Sequence, residues 1–231
     1  MNLSIRLKSI CNMVDKCHCI ADIGTDHGYI PVYLVENGIC NKAIASDINE
    51  GPINKAKINI ESKGLEHKID CRLGNGLNTI VKGEADEVII AGMGGNLIRD
   101  IINENMDILK TSKSFILQPV QNAEVLRKYI YDMGFNIIDE DLCIDENIFY
   151  EIIKIEYNSH VVKLEPILYE VSDRLLKKRH PLIVEFMKHK INKYKNILGY
   201  IKDEGISSQN RKREINSKIV RLQELIECIS K

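Results

Sequence analysis

Several absences narrow what this chain can be. No apolar run approaches the roughly 18 residues that cross a bilayer, so no membrane span is expected. The N-terminus carries no apolar core of the secretory type, and the expectation is a cytoplasmic protein. Cys17-His18-Cys19 has no second ligand pair at metal spacing elsewhere, so no metal site is expected. The seven cysteines are an odd number, scattered and mostly inside apolar runs, which reads as reduced thiols. There is no internal repeat and no low-complexity tract. The G-x-G-x-x-G spacing of a dinucleotide-binding turn is also missing.

What is present suits a soluble protein of one large domain plus something smaller: 231 residues, 44% hydrophobic and 28% charged. The net charge of −1 hides an asymmetry. Residues 158–231 hold 16 Lys and Arg against 9 Asp and Glu, a balance of +7, which leaves residues 1–157 at −8. A basic C-terminal part on an acidic body suggests an anionic partner, although a solvated helix face would show the same balance.

The stretch from Ile20 to Pro31 organises the rest. It reads as a buried strand, a glycine turn and a helix with proline in its first turn. Such a corner binds nucleotides. Asp22 and Asp26 flank the turn, where they would repel a pyrophosphate and welcome a sulfonium or an ammonium group. Asp-x-Gly-x-x-x-Gly resembles the first motif of class I S-adenosylmethionine-dependent methyltransferases, with Asp26 where a glycine is usual. A plain Rossmann-type turn without methyl chemistry stays open at this point.

Along the chain, Ile5–Val14 reads as a helix that Ser4 could cap. Strands follow at 19–23, 42–46, 69–73, 87–91 and 114–118, with helices at 30–37, 52–63, 96–109 and 123–133 between them. An antiparallel pair at 136–144 and 148–156 closes the series. The expected fold is α/β, a doubly wound seven-stranded Rossmann-like sheet. Asp47 follows the second strand, where a carboxylate can accept both hydroxyls of a ribose or cap the next helix. Asn75, after the third strand, can accept from an adenine amino group. Gly92-Met93-Gly94-Gly95 ends the fourth strand and leaves room for a flat substrate. The chain has neither the Asn/Asp-Pro-Pro-Tyr/Phe of enzymes that methylate exocyclic amines nor the Pro-Cys of cytosine-C5 enzymes.

After Tyr157 the pattern changes to two helical seams, Ile183 to Ile201 and Ile215 to Ile229, joined through Asp203–Gln209. The expected domains are therefore 1–157 and a basic helical hairpin, coiled-coil-like, at 158–231. Lys190, Lys218 and Arg221 are expected to stay mostly outside, with Lys188, Lys193, Arg211 and Arg213.

Arg6-Leu7, the run from Ala21 to His27, Gly51-Pro52, Gly74-x-Gly76-Leu77, Ala91-Gly-Met-Gly-Gly95 and Leu117-Gln-Pro119 occur in that order. With the basic helical tail, they resemble the bacterial tRNA (adenine(22)-N1)-methyltransferase family over essentially the whole chain. The resemblance implies S-adenosyl-L-methionine as cofactor and tRNA as partner, with methyl transfer to adenine N1. It implies a cofactor site lined by Asp22, Gly24, His27, Asp47, Ile48, Asn75, Gly76, Gly92 and Met93, with Asp26 as the catalytic carboxylate. Family members often have Asp where Asn75 stands and Glu where Asp47 stands, and both replacements keep hydrogen-bond acceptors. RNA contacts are expected from Arg6, Lys188, Lys193, Arg211 and Arg213, on a monomer without metal. Three other readings stay open: a small-molecule methyltransferase, which leaves the basic tail unexplained; a catalytically silent RNA-binding module; and a nicotinamide-linked oxidoreductase, disfavoured by the missing glycine.

Overall fold

Continuous apolar runs at β1 (Cys17–Ile23), β4 (Glu87–Met93) and β5 (Ser114–Pro119) predict strands covered on both faces. A computed structural model, describing residues 3–203 and 205–229, shows how that covering is made. Successive side chains leave a strand on opposite sides. Ile20, Ile89 and Ile116 pack on one face with α1 (Ile5–Asn12), α2 (Tyr29–Glu36) and α3 (Glu50–Ser62), through Ile10, Leu34 and Ile60. Ala21, Val88 and Phe115 pack on the other with α4 (Gly95–Glu104), α5 (Met106–Leu109) and α6 (Ala123–Asp132), through Ile98, Leu109 and Ile130.

With β2 (Cys40–Asp47), β3 (Ile69–Leu73), β6 (Phe135–Asp145) and β7 (Ile148–Tyr157), the sheet has the order β3-β2-β1-β4-β5-β7-β6. The first five strands are parallel, and β7 runs antiparallel to both neighbours. This is the expected Rossmann-like sheet. Its order reverses between β1 and β4, where open α/β sheets form a crevice at the carboxyl ends of the strands.

Local chemistry explains several boundaries. Ser4 caps α1, its Oγ accepting from Leu7 N at 3.3 Å. The single helix expected at 96–109 is broken at Asn105, whose side chain donates to Ile101 O at 3.2 Å and whose backbone leaves helical dihedrals. Lys154, buried at the centre of β7, donates to Met13 O at 2.8 Å and pairs with Asp15 and Glu87 at 2.7 and 3.1 Å. This ties the segment after α1 to the sheet.

The chain divides into two units, Met1–Lys163 and Leu164–Lys231. Asn158 N donates to Gly134 O and Val162 N to Tyr131 O, so the residues just after Tyr157 still belong to the first unit. The second unit contains α7 (Pro166–Val171), α8 (Asp173–Lys177), α9 (Ile183–Tyr200) and α10 (Ile206–Ile229). Buried Ile183, Met187 and Ile191 of α9, and Ile215, Ile219 and Leu222 of α10, lie on the expected seams. The connection is shorter than expected because α10 already begins at Ile206; residue 204 lies outside the described residues.

Two lysines expected outside point inward. Glu170 is only 5% exposed, and it accepts from Lys218 Nζ and Tyr194 Oη, both at 2.7 Å, with Lys190 Nζ at 3.5 Å. Burial alone would push the Glu170 carboxyl up. Lys190, Lys218 and Tyr194 together outweigh it and hold the group below its ordinary value.

Candidate active site

At the switch point between β1 and β4 a cleft of about 340 Å³ is lined by Arg6, Asp22, Gly24, Asp26, His27 and Gly92, among others. Asp22 lies near the end of β1 and is 5% exposed. Among the described residues no cation pairs with it. Burial pushes its carboxyl up to about 6, the Asp47 charge adds to the shift, and the nearby Thr25 hydroxyl pulls the other way. Thr25 Oγ1 and Ser46 Oγ are themselves buried without a partner of hydrogen-bonding geometry. The site thus holds a costly buried anion that no cation among the described residues compensates, an arrangement that a cationic, hydrogen-bonding ligand would complete.

The turn after β1 is fixed by its backbone. Gly24 N and Thr25 N both donate to Ser46 O, at 2.8 and 2.9 Å. Gly24 has φ +78°, and a Cβ there would fall 2.2 Å from Met93 Cε. The positive φ is what favours glycine here; the Met93 thioether end lies against the turn and would have to move for any side chain. Asp26, just beyond, has a side chain 67% exposed; His27 Nε2 stands 3.4 Å and Lys55 Nζ 3.6 Å from its carboxylate. The rings of His27 and Tyr29 stack at 4.9 Å beside it.

Residues of β4 and α1 also line the cleft. The β4–β5 register slips between Ala91 and Met93, and Gly92 takes φ +76° in the irregularity. Gln118, fully buried in β5, accepts there from Gly92 N at 3.2 Å and from Arg6 Nη1 at 2.8 Å, while its Nε2 donates to Pro119 O. Arg6 also lies over the Tyr150 ring at 5.5 Å, and its backbone N donates to Asp145 Oδ2.

With this geometry established, similarity to known proteins is informative. The family model described as tRNA (adenine(22)-N(1))-methyltransferase, TrmK, matches residues 20–224. The chain belongs to the TrmK family. The tRNA (adenine(22)-N(1))-methyltransferase of Bacillus subtilis is 31% identical over 98% of each chain. A candidate tRNA (m1A22) methyltransferase of Streptococcus pneumoniae, solved with S-adenosyl-L-methionine, gives a TM-score of 0.87 at 31% identity, covering 97% of this chain and 100% of that one. The M. capricolum TrmK, solved with S-adenosyl-homocysteine, gives 0.82 at 29% identity, covering 97% and 99%.

Of the residues singled out from the sequence, Asp22, Gly24, Asp26, His27 and Gly92 share the cleft, and Met93 packs where a side chain on Gly24 would be. Asp47, Ile48, Asn75 and Gly76 lie along the carboxyl ends of β2 and β3, outside that lining. Asp47 does not cap α3, whose N-cap is Asn49; its Oδ1 accepts from Asn49 N at 2.7 Å and so closes the turn ahead of the helix. Ile48 and Asn75 are exposed. Arg6, read from the sequence as an RNA contact, lines the cleft. Lys188, Lys193, Arg211 and Arg213 are exposed in the second unit, and only Arg211 among them makes a described ion pair, with Glu214 at 2.8 Å.

Sequence reasoning passed over Gln118, Ser46 and Tyr29. Gln118 stood in the Leu117-Gln-Pro119 signature, but nothing local shows that its amide meets a side chain 112 positions earlier. Among the described residues no three His, Cys, Asp or Glu converge as metal ligands, and no helix is long and apolar enough to cross a membrane. The seven cysteines are free, and burial pushes the thiols of Cys11, Cys17 and Cys40 up to about 12, far from nucleophilic use.

Proposed function

We infer that this TrmK-family protein methylates N1 of an unpaired adenosine in tRNA, with S-adenosyl-L-methionine as cofactor. The observation that carries the reading is Asp22, a buried carboxylate without a cation at the switch point of the sheet. The residues fit the cofactor. Asp22 would receive its ammonium group, the strand ends at Asp47 its ribose hydroxyls, and Asn75 the adenine amino group. Gly24, Gly76, Gly92 and Met93 would give it backbone and thioether contacts. When bound, the cofactor supplies an electrophilic methyl group on a positively charged sulfur.

Adenine N1 carries an in-plane lone pair and needs no base before it reacts. The protein's task is to place N1 in line and exclude water. Methylation at N1 leaves the ring cationic. Asp26, exposed at the cleft and held by no short hydrogen bond, is placed to stabilise that charge or to accept the N6 proton. N1 lies on the pairing edge, so the target base must be unpaired or extruded. The second unit carries the excess positive charge, and Lys188, Lys193, Arg211 and Arg213 are assigned to the phosphates. The protein acts in the cytoplasm as a monomer, which sedimentation of the free enzyme would check.

The deciding experiment is primer extension on tRNA incubated with protein and S-adenosyl-L-methionine. A methyl on N1 blocks pairing, so reverse transcription should stop at one adenosine. Methyl label incorporated without a stop would place the methyl on another atom. For the RNA surface, reversing the four cations to Glu should flatten the dependence of tRNA affinity on salt by roughly one unit for each phosphate that is no longer neutralised. An unchanged slope would remove them from the interface.

A further inference from the structure

Arg6 offers a different interaction from the one its sequence position suggests. Among the described residues its guanidinium makes one hydrogen bond, to Gln118 Oε1 at 2.8 Å, and no ion pair. Gln118 is fully buried and neutral, so it orients the guanidinium without consuming its charge. The Tyr150 ring supports the other side of the group at 5.5 Å. Four N–H donors and a full positive charge are left over. They belong to the same cleft as Asp22, near the β4 end, since a Cβ on Gly92 would stand 3.7 Å from Arg6 Nη1. A cleft lined by both an unpaired buried anion and an unneutralised cation is complementary to a zwitterion. The methionine end of the assigned cofactor is such a group, an α-ammonium and an α-carboxylate on one carbon.

We propose that Arg6 binds the α-carboxylate of the cofactor, and that Gln118 is the positioning residue that aims it. The inference rests on the cofactor reading of the cleft given above. It gives Leu117-Gln-Pro119 a physical role: one buried amide oxygen fixes the Gly92 turn and the Arg6 guanidinium together. Lys at position 6 would keep the charge and lack the fork that meets a carboxylate with two parallel bonds.

The test is calorimetric and needs no turnover. S-adenosylhomocysteine is compared with its decarboxylated analogue, 5′-deoxy-5′-(3-aminopropylthio)adenosine, which keeps the amine and lacks only the carboxylate. The wild-type protein should bind the analogue about 10- to 100-fold more weakly, the range for removing a charge-assisted hydrogen bond. Arg6→Ala should bind S-adenosylhomocysteine more weakly by a similar factor and no longer distinguish the two ligands. Arg6→Lys should fall between. Gln118→Glu holds the guanidinium but pairs its charge, so it should abolish most of the discrimination; a merely structural Gln118 would weaken both ligands equally. If wild type binds both ligands equally, the carboxylate assignment is wrong and the cofactor reading stands. If wild type binds neither, the cofactor reading fails and takes this inference with it. If Arg6→Ala keeps full S-adenosylhomocysteine affinity and binds tRNA poorly, Arg6 is an RNA-binding residue and the proposal is overturned.

Discussion

Asp22 in the first unit and Glu170 in the second are equally buried, each 5% exposed, yet their carboxyls move in opposite directions. Glu170 has Lys190, Lys218 and Tyr194 around it and stays ionised below its ordinary value. Asp22 has no cation and is pushed up to about 6. The contrast separates a carboxylate that the fold has already completed from one that it leaves without a cation among the described residues. Burial is the same; the partners decide. The uncompensated charge of Asp22 is of the kind that persists at functional sites, while Glu170 serves the packing of its own helices.

Substitutions sharpen that contrast. Asp22→Asn has the largest expected effect: affinity for S-adenosylhomocysteine should fall on the order of 10²-fold or more, measured by calorimetry, as for truncating one member of a buried charge pair. The free variant should melt no lower than wild type at neutral pH, because an unpaired anion has been removed. A marked drop in melting temperature would make Asp22 a structural group like Glu170. Asp26→Ala comes next, with turnover down by about 10²-fold and cofactor affinity nearly intact; normal turnover would end its catalytic assignment. Glu170→Gln should do the reverse of Asp22→Asn. It removes the carboxylate that two half-buried lysines share, which costs about 1 to 3 kcal/mol of stability in denaturant titration, with cofactor affinity unchanged. The stabilising effect of Glu170 is present above the ordinary Glu value and disappears as pH falls through the lowered one.

The smallest effect is with pH. A carboxyl raised from 3.8 to about 6 holds extra protons in the fold, so its destabilising contribution is absent below about pH 4, grows as pH rises to about 6 and is constant above. The proposed contact of Asp22 with the ammonium group of the cofactor needs the charged form. Affinity should therefore be flat above about pH 7 and weaken up to tenfold per unit below about 6. Asp22→Asn should lack this dependence, and a wild-type profile without it would detach Asp22 from the ammonium group.

The sequence made the sheet legible because β1, β4 and β5 are largely apolar on both faces and have a glycine or proline at or just beyond their ends. It made the cleft partly legible, since Asp22, Gly24 and Asp26 are neighbours in the chain. What it hid is what distance in the chain conceals. Glu170, Lys190, Tyr194 and Lys218 come from α7, α9 and α10, and no spacing marks them as one cluster. The helices α7 and α8 are too short for a periodic signal, and α8 starts at Ser172, whose Oγ accepts from Leu175 N. Arg6 looked like a surface cation because its partner Gln118 is on β5.

The bonds that fasten α1 to the sheet also bear on how the protein is made. Arg6 N reaches Asp145 across 139 positions, and Lys154 reaches Met13 O across 141. On the ribosome α1 emerges well before the β6–β7 hairpin that anchors it, which is almost the last part of the first unit to be synthesised. A nascent chain that has shown only β1 to β4 has the Asp22 turn and lacks the wall that Gln118, Asp145 and Tyr150 hold in place. Completion of the cleft lining around Arg6 then waits for the hairpin, and such non-local closure slows folding.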